Sequence, residues 1–278
     1  MDGMEKPYII SEELDLLNDD YIQKGALNAF REDLDENLRA LGKNTLWVAS
    51  SDIQQGIALR ASQTQLPIVS LDDRYTILAD ERIGVSRGVD ENLNDIGYVS
   101  RVGYSSLDKQ LDAAAKMRKE ITLIDDVVFS GNMIVWLDTE LRKRNAKIAS
   151  VICGIAIGGG LQRLSEQGIG VDAVRIFDDV DDELCERDLA VVAGSGRRIE
   201  SIAANALYFC DQYSRPTEWA SIPEASVADF AARSFRRSAS LLNRSISIKD
   251  IGRFYGIESD INAVDALLQK ALQAEKRI

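Results

Sequence analysis

Hydrophobic residues in this chain cluster into short runs that alternate with amphipathic stretches. Runs of strand length that are rich in Val, Ile and Leu predict buried β-strands, and stretches in which apolar residues recur every three or four positions predict helices. The predicted strands cover residues 45–50, 66–71, 121–124, 147–157 and 171–177. Strands that alternate with helices along a sequence predict a doubly wound α/β fold with a mainly parallel sheet.

Three other segments depart from this alternation. Residues 8–41 have helical periodicity, with leucines at mixed three- and four-residue spacing. Residues 72–105 contain short β-type runs separated by glycine-containing turns, which predicts a β-rich insertion or a flexible hairpin. Residues 224–278 are again helical in pattern. The predicted organisation is an N-terminal helical segment over 1–42, an α/β core over 43–213 and a helical C-terminal extension over 214–278.

The composition is that of a globular protein. The chain has 278 residues, of which 45% are hydrophobic and 28% charged, which suits one α/β domain with an appendage. No apolar run approaches the length that spans a bilayer, and the first residues lack the basic and apolar regions of a signal peptide. The three cysteines, Cys153, Cys185 and Cys210, are widely spaced, which favours reduced thiols and a cytoplasmic location away from membranes.

Two further counts exclude several classes of function. The chain contains no histidine, so histidine-based zinc sites, Ser-His-Asp triads and Cys-His nucleophiles are all excluded. Its net charge of −12 disfavours nucleic-acid binding through a general basic surface. A phosphorylated small molecule is compatible with this charge, because local N–H groups, Mg²⁺ and a few basic side chains are sufficient to bind it.

The segment from Ile121 to Met133 has the strongest functional pattern in the chain. An apolar run precedes the acid pair Asp125-Asp126, which is followed by two β-branched residues and a polar turn, and helical periodicity begins after the turn. The N–H groups of such a turn and the dipole of the next helix favour a phosphate, and the carboxylates suit ribose hydroxyls or hydrated Mg²⁺. The pattern predicts a nucleotide-type site; a solvated corner with two adjacent Asp residues is the alternative.

This segment resembles the motif with which type I phosphoribosyltransferases bind phosphoribosyl pyrophosphate (PRPP). That family shows four apolar residues, two acids, two apolar residues, a variable residue and then Thr/Ser-Gly-x-Thr/Ser. Here residues 121–124 precede Asp125-Asp126-Val127-Val128-Phe129-Ser130-Gly131-Asn132-Met133. The chain departs from the motif at Phe129, where some members carry an acid that helps catalysis. It departs again at Met133, where the family usually has Thr or Ser.

The resemblance implies a role for each of several groups of residues. Asp125 and Asp126 would bind the ribose hydroxyls of PRPP and Mg²⁺. The 5′-phosphate would be bound around the turn by Val128, Phe129, Ser130, Gly131, Asn132 and Met133. Pyrophosphate would be bound by Ser51, Asp52, Arg74 and Arg101, and the acceptor by Phe177, Asp178 and Arg187. Other roles are open for some of these residues, because Ser51 or Asp52 is an equally good helix N-cap and loop arginines are usually solvated.

The expected function is a Mg²⁺-dependent transfer of the ribosyl 5-phosphate of PRPP to a nitrogenous base or related acceptor, with release of pyrophosphate. The resemblance also implies a homodimer, a hood over the site to which residues 1–42 contribute, and a mobile loop that closes over the site. One alternative is a binding or regulatory protein of the same fold that senses PRPP or a nucleotide without catalysis. A phospho-acceptor domain is a third, less favoured hypothesis, because such a domain carries its acid pair after the first strand and not before a Ser-Gly turn.

Overall fold

The computed structural model describes residues 6–16, 24–76, 78–89, 95–101, 103–190, 198–199 and 216–241. The chain divides into two compact units. The terminal unit comprises Met1–Val48, Arg87–Gly97 and Asp181–Ile278, and the central unit comprises Ala49–Ser86 and Tyr98–Val180. The acid pair and the turn that follows it therefore lie in the central unit.

Eleven strands and seven α-helices lie in the described residues. The strands are β1 (Pro7–Ser11), β2 (Asn44–Val48), β3 (Ile68–Ser70), β4 (Glu81–Arg82), β5 (Val85–Val89), β6 (Asp95–Ser100), β7 (Glu120–Val128), β8 (Lys147–Ile157), β9 (Gly170–Phe177), β10 (Asp182–Cys185) and β11 (Arg198–Ile199). The helices are α1 (Lys24–Ala40), α2 (Ser50–Ala61), α3 (Leu107–Met117), α4 (Asn132–Arg142), α5 (Gly158–Glu166), α6 (Pro216–Trp219) and α7 (Val227–Leu241). None of these helices is both long enough and apolar enough to cross a membrane.

The central unit is built on a five-stranded sheet in the order β4-β3-β7-β8-β9, in which every pairing is parallel. Leu123 of β7 and Val151 of β8 lie in one buried cluster with Ile134 and Leu137 of α4. Helix α2 contacts β8 and β9. Because parallel strands joined by helices bury their apolar runs, the run over residues 121–124 becomes the middle strand of this sheet. The predicted α/β fold with a mainly parallel sheet is confirmed.

The terminal unit contains a second parallel sheet, in the order β10-β1-β2. The prediction of helix throughout residues 8–41 is wrong at its start, because β1 occupies Pro7–Ser11 and helix α1 begins only at Lys24. Tyr8, Ile9 and Ile10 are all fully buried between the neighbouring strands. A strand that is buried on both faces has a continuous apolar run, so its two-residue periodicity is not visible in the sequence.

The predicted appendages are only partly described. Helix α7 lies within the predicted C-terminal extension and packs against α1, whereas residues 242–278 lie outside the described residues. The strands β5 and β6 lie in the predicted β-rich insertion over residues 72–105. The boundaries near residues 42 and 213, the hood and the helical tail stay predictions, and residue 213 lies outside the described residues.

Candidate functional site

The acid pair lies inside strand β7 and not after it. The strand was predicted to end at Ile124, but Asp125 pairs with Cys153 of β8 and the pairing continues to Val128. A hydrogen bond between the two side chains lowers the pKa of Asp125, against the larger and opposite effect of burial. Asp125 is 4% exposed and Asp126 is half-buried.

A tight turn connects β7 to helix α4. Gly131 adopts φ of +71°, which a side chain would disfavour, and an added Cβ would lie 3.2 Å from Cγ of Leu164. The N–H of Asn132 donates to the Oγ of Ser130 at 3.4 Å. The first N–H groups of α4 have no partners within the helix, and they carry the positive end of the helix dipole. This turn therefore has the backbone features that favour a bound phosphate.

Two glycines of α5 pack against the backbone near this turn. A Cβ at Gly160 would overlap the carbonyl oxygen of Phe129 and lie 2.9 Å from Cγ1 of Val128, and a Cβ at Gly158 would overlap the carbonyl oxygen of Asp178. Residues 158–160 form the first turn of α5. The sequence prediction missed this packing role, and the run of three glycines was the signal for it.

A third acid, Asp72, follows strand β3 and lies near the pair, and Arg101 lies near all three carboxylates. Burial, followed by the negative charge of Asp72, raises the pKa of Asp125 to about 7. Burial, followed by the charges of Asp125 and Asp72, raises the pKa of Asp126 well above its usual value. The Arg101 guanidinium opposes both shifts. Although burial lowers the pKa of Arg101, the surrounding carboxylates outweigh burial and raise it.

The segments that carry Asp72 and Arg101 are held by local contacts. The carboxylate of Asp72 accepts from the backbone N–H of Arg74 at 2.7 Å and from its guanidinium at 3.1 Å. The backbone N–H of Arg101 donates to the carbonyl of Gly84 at 2.8 Å. The site thus combines residues from the end of β3, the end of β7 and the segment after β6.

Tyr104 completes this part of the site. Its hydroxyl donates to Asp73, and burial together with this hydrogen bond raises the pKa of Tyr104 to about 12. Asp72, Asp73 and Tyr104 were not predicted as site residues. The signal for the two acids was present, because Asp72-Asp73 follow a predicted strand just as Asp125-Asp126 do.

The predicted pyrophosphate residues lie on different elements of the central unit. Arg74 and Arg101 lie among the acids described above. Ser51 and Asp52 lie in the first turn of α2, which begins at Ser50. The predicted N-cap is wrong, because the cap is Ala49 and no side chain bonds there. The carboxylate of Asp52 accepts from Arg175 of β9 at 3.1 Å. The pyrophosphate role of all four residues stays a prediction.

The predicted acceptor residues lie in different units. Phe177 is half-buried at the end of β9, and the exposed Asp178 follows it. Arg187 lies in the terminal unit, in the 3-10 turn Glu186–Leu189, with its Nε 3.4 Å from the carboxylate of Glu13. The acceptor pocket stays a prediction.

The terminal unit contains a buried acid of its own. Glu186 follows β10 and is fully buried. Arg31 of α1 donates to Oε1 from Nε at 2.9 Å and to Oε2 from Nη2 at 2.8 Å, and the backbone N–H of Glu13 donates to Oε2 at 3.2 Å. Burial raises the pKa of Glu186 to about 7, against the opposing effect of Arg31. This acid is therefore held by a charged partner within the fold.

Comparisons with known proteins give low similarity. No protein-family model and no curated protein sequence matches the chain. Among solved structures, a UMP synthase from Leishmania donovani is 12% identical over 45% of this chain and 26% of its own, with a TM-score of 0.29. The orotate phosphoribosyltransferase from Aeropyrum pernix is 15% identical over 34% of this chain and 64% of its own, with a TM-score of 0.21.

A third similar structure is the adenine phosphoribosyltransferase from Thermoanaerobacter pseudethanolicus. It is 12% identical over 63% of this chain and 73% of its own, with a TM-score of 0.21. The chain spans only 26% of the UMP synthase chain it matches. At these identities and TM-scores the similarity carries no conclusion about activity, so function must be argued from the geometry of the site.

Proposed function

We propose that this chain is a Mg²⁺-dependent phosphoribosyltransferase, which transfers the ribosyl 5-phosphate of PRPP to a nitrogenous base or related acceptor and releases pyrophosphate. The observation that carries the proposal is the arrangement at the carboxyl end of β7. The acid pair lies in the middle strand of a parallel sheet, and the strand leads through Gly131 into the N-terminus of α4. Ligands of open α/β sheets bind at the carboxyl ends of the strands.

The strand, turn and helix supply two kinds of contact for PRPP. Carboxylates of Asp125 and Asp126 accept hydrogen bonds from the ribose hydroxyls. Backbone N–H groups between Val128 and Met133 donate to the 5′-phosphate, with the helix dipole adding to the attraction. Gly160 supports this turn because it lets the backbone of α5 pack directly against it.

The residues present fit a divalent cation. Asp72, Asp125 and Asp126 are hard oxygen donors of the type that Mg²⁺ prefers. Their mutual repulsion and burial raise the pKa values of Asp125 and Asp126, and a cation would relieve that repulsion. We therefore assign Asp125 and Asp126 as the residues that would hold Mg²⁺. When bound, Mg²⁺ neutralises charge on the departing pyrophosphate.

The reaction itself is a substitution at C1 of the ribose. The bond from C1 to the pyrophosphate oxygen breaks with its electron pair, and an acceptor nitrogen forms the new bond to C1. Positive charge develops on the ribose ring, which the nearby carboxylates stabilise, while Arg74 and Arg101 attract the leaving pyrophosphate. The protein contributes position and electrostatics and forms no covalent bond to the substrate.

A second function is favoured by two specific residues. Phe129 is 43% exposed where some members of the resembled family carry an acid. Met133 packs against the apolar core and has no hydroxyl to offer a phosphate. These two positions favour a protein that senses PRPP or a nucleotide without catalysing a transfer.

Binding and turnover measured together separate the two functions. We would titrate PRPP with Mg²⁺ by calorimetry and then follow pyrophosphate release with a panel of purine and pyrimidine bases. The enzyme predicts both binding and release, whereas the sensor predicts binding alone. The double variant Asp125→Asn/Asp126→Asn should fold and lose PRPP affinity. The control Asp108→Asn, at a side chain that is 84% exposed on α3, should bind as the wild type does. A wild-type chain that binds neither PRPP nor a nucleotide would overturn both functions.

The remaining parts of the proposal concern assembly and location. We propose a cytoplasmic homodimer that binds PRPP and a small-molecule acceptor and does not bind membranes or nucleic acid. Light scattering of the purified chain with and without PRPP would measure its oligomeric state.

A further inference from the structure

A groove of about 810 Å³ lies at the amino end of the central sheet. Its walls include Glu120, the first residue of β7, and Lys147, the first residue of β8. The acid pair lies towards the other end of β7, about 17 Å from Glu120 to Asp125 at roughly 3.3 Å per residue. The groove is therefore separate from the candidate PRPP site.

The side chains around the groove are mostly basic. Arg118, Lys119, Arg142 and Lys147 line it, together with the single acid Glu120. Helices α3 and α4 both end here, and their C-termini contribute about half a negative charge each. Lys147 is paired with Glu120 at 2.9 Å and Arg142 with Asp138 at 2.6 Å. The charges of Arg118 and Lys119 still outweigh the two helix ends, so the groove is locally positive in a chain whose net charge is −12.

These cations keep donors available for a ligand. The Nε of Arg142 donates to Asp138 at 2.6 Å, and one terminal nitrogen of Arg118 donates to the carbonyl of Gln65 at 3.2 Å. A guanidinium has five N–H donors, so both arginines have further N–H groups to offer. Among the described residues, Lys119 forms none of the ion pairs observed.

Size and lining indicate the class of ligand. A volume of about 810 Å³ lies in the range of small-molecule sites, which is about 300–1,000 Å³. The fork of a guanidinium matches the oxygens of a phosphate. Leu66, which is half-buried, adds an apolar surface that an uncharged ring could cover. We infer that this groove binds a phosphorylated small molecule of nucleotide size.

A nucleic acid is a poorer match for the groove. Binding a polynucleotide needs basic residues that follow the phosphate backbone over several nucleotides, whereas these cations surround one short groove. The net charge of the chain opposes such a polyanion as well. The inference does not depend on the PRPP proposal, because no residue of the groove belongs to that site.

Amide chemical shifts of the ¹⁵N-labelled full chain would test the inference. AMP and UMP would be titrated separately, with EDTA and no Mg²⁺, so that the acid pair cannot recruit the nucleotide through a metal. We expect saturable shifts at Lys119, Asn145 and Lys147 with at least one nucleotide. The variant Arg118→Gln/Lys119→Gln should bind that nucleotide about tenfold more weakly, because two charged donors are lost.

Controls locate the binding and separate it from the PRPP site. Lys109→Gln removes an exposed cation of α3 outside the groove and should leave the affinity unchanged. Asp125→Asn/Asp126→Asn should also leave it unchanged. The inference is overturned if neither nucleotide saturates by about 10 mM, near the weak end of specific binding. It is equally overturned if the groove variant binds as tightly as the wild type, or if only a single-stranded oligonucleotide shifts these amides.

Discussion

Glu186 of the terminal unit and Asp125 of the central unit are both buried acids at the carboxyl ends of parallel strands, and burial raises the pKa of each to about 7. Their surroundings differ. Two hydrogen bonds from Arg31 hold Glu186. Asp125 accepts from the backbone N–H of Asp126 at 3.1 Å, and among the described residues it forms no ion pair.

The difference indicates different roles for the two acids. A carboxylate with a bidentate arginine has its charge balanced inside the fold, as expected of a structural group. At Asp125 the backbone determines the position, through the register with β8 and the glycine packing of α5, while the charge of Asp72 repels that of Asp125. A fold that holds like charges together in this way suits a ligand or cation that balances them.

Replacing Arg31 should cause the largest loss of stability among the changes that test this difference between Glu186 and Asp125. Arg31→Met leaves the fully buried Glu186 without its charged partner, so the free energy of unfolding should fall by about 3 kcal/mol at neutral pH. Urea denaturation measures this loss. The control is Arg39→Met, which removes an ion pair to Asp35 from a side chain that is 62% exposed, and it should cost less than about 1 kcal/mol. Equal losses in the two variants would show that Arg31 does not balance Glu186.

A methyl group at Gly160 should have the next largest effect, because it disturbs the backbone that positions the turn after β7. Its Cβ would overlap the carbonyl of Phe129, so Gly160→Ala should lower the free energy of unfolding by about 2 kcal/mol. PRPP affinity should fall with it. Gly159→Ala is the matched control: nothing lies within 4 Å of its Cβ, so it should be neutral or up to about 1 kcal/mol more stable. Identical behaviour of the two alanine variants would contradict backbone positioning.

Sequence alone predicted the parts of this structure that depend on local pattern. The apolar run before Asp125 and the Ser130-Gly131 turn predicted a strand and a following helix, and both are present as β7 and α4. Strand β1 was missed because Ile9 and Ile10 fit a helix equally well. Pairing with β2 on one side and β10 on the other makes this segment a strand.

The contacts that hold the acids in place join residues that are far apart in sequence. Arg31 and Glu186 are separated by 155 residues, and Tyr104 lies 31 residues after Asp73. No periodicity brings such residues together, because their proximity follows from packing of whole elements. The prediction of an N-cap at Ser51 or Asp52 was wrong for the opposite reason. Ser51 and Asp52 have strong local cap propensity, but the helix begins earlier, at Ser50.

The smallest predicted effect concerns the charge of Asp125 itself. Its pKa is raised from 3.8 to about 7, so the folded chain binds a proton there that the unfolded chain releases at lower pH. The stability from this proton is fully present below about pH 4 and is lost as the pH rises through about 7. Asp125→Asn cannot ionise, so its free energy of unfolding should fall less between pH 4 and 8. At pH 8 the free energy of unfolding of the variant should exceed that of the wild type by about 1 kcal/mol. This is less than the free energy that corresponds to the whole pKa shift, because the variant buries a polar amide group, which also costs free energy.

Urea denaturation at a series of pH values measures how steeply the free energy of unfolding changes with pH. Asp108→Asn is the control, because a change at that exposed side chain should leave this pH dependence unchanged. Mg²⁺ with PRPP provides a second measurement on the same two proteins. If the acids hold a cationic ligand, the ligands should stabilise the wild type most at pH 8, where Asp125 is ionised, and should stabilise the Asn variant less. A wild type with the slope of its Asn variant would mean that Asp125 ionises as freely in the fold as outside it. The ion pair with Arg31 would then be the one remaining difference between Glu186 and Asp125.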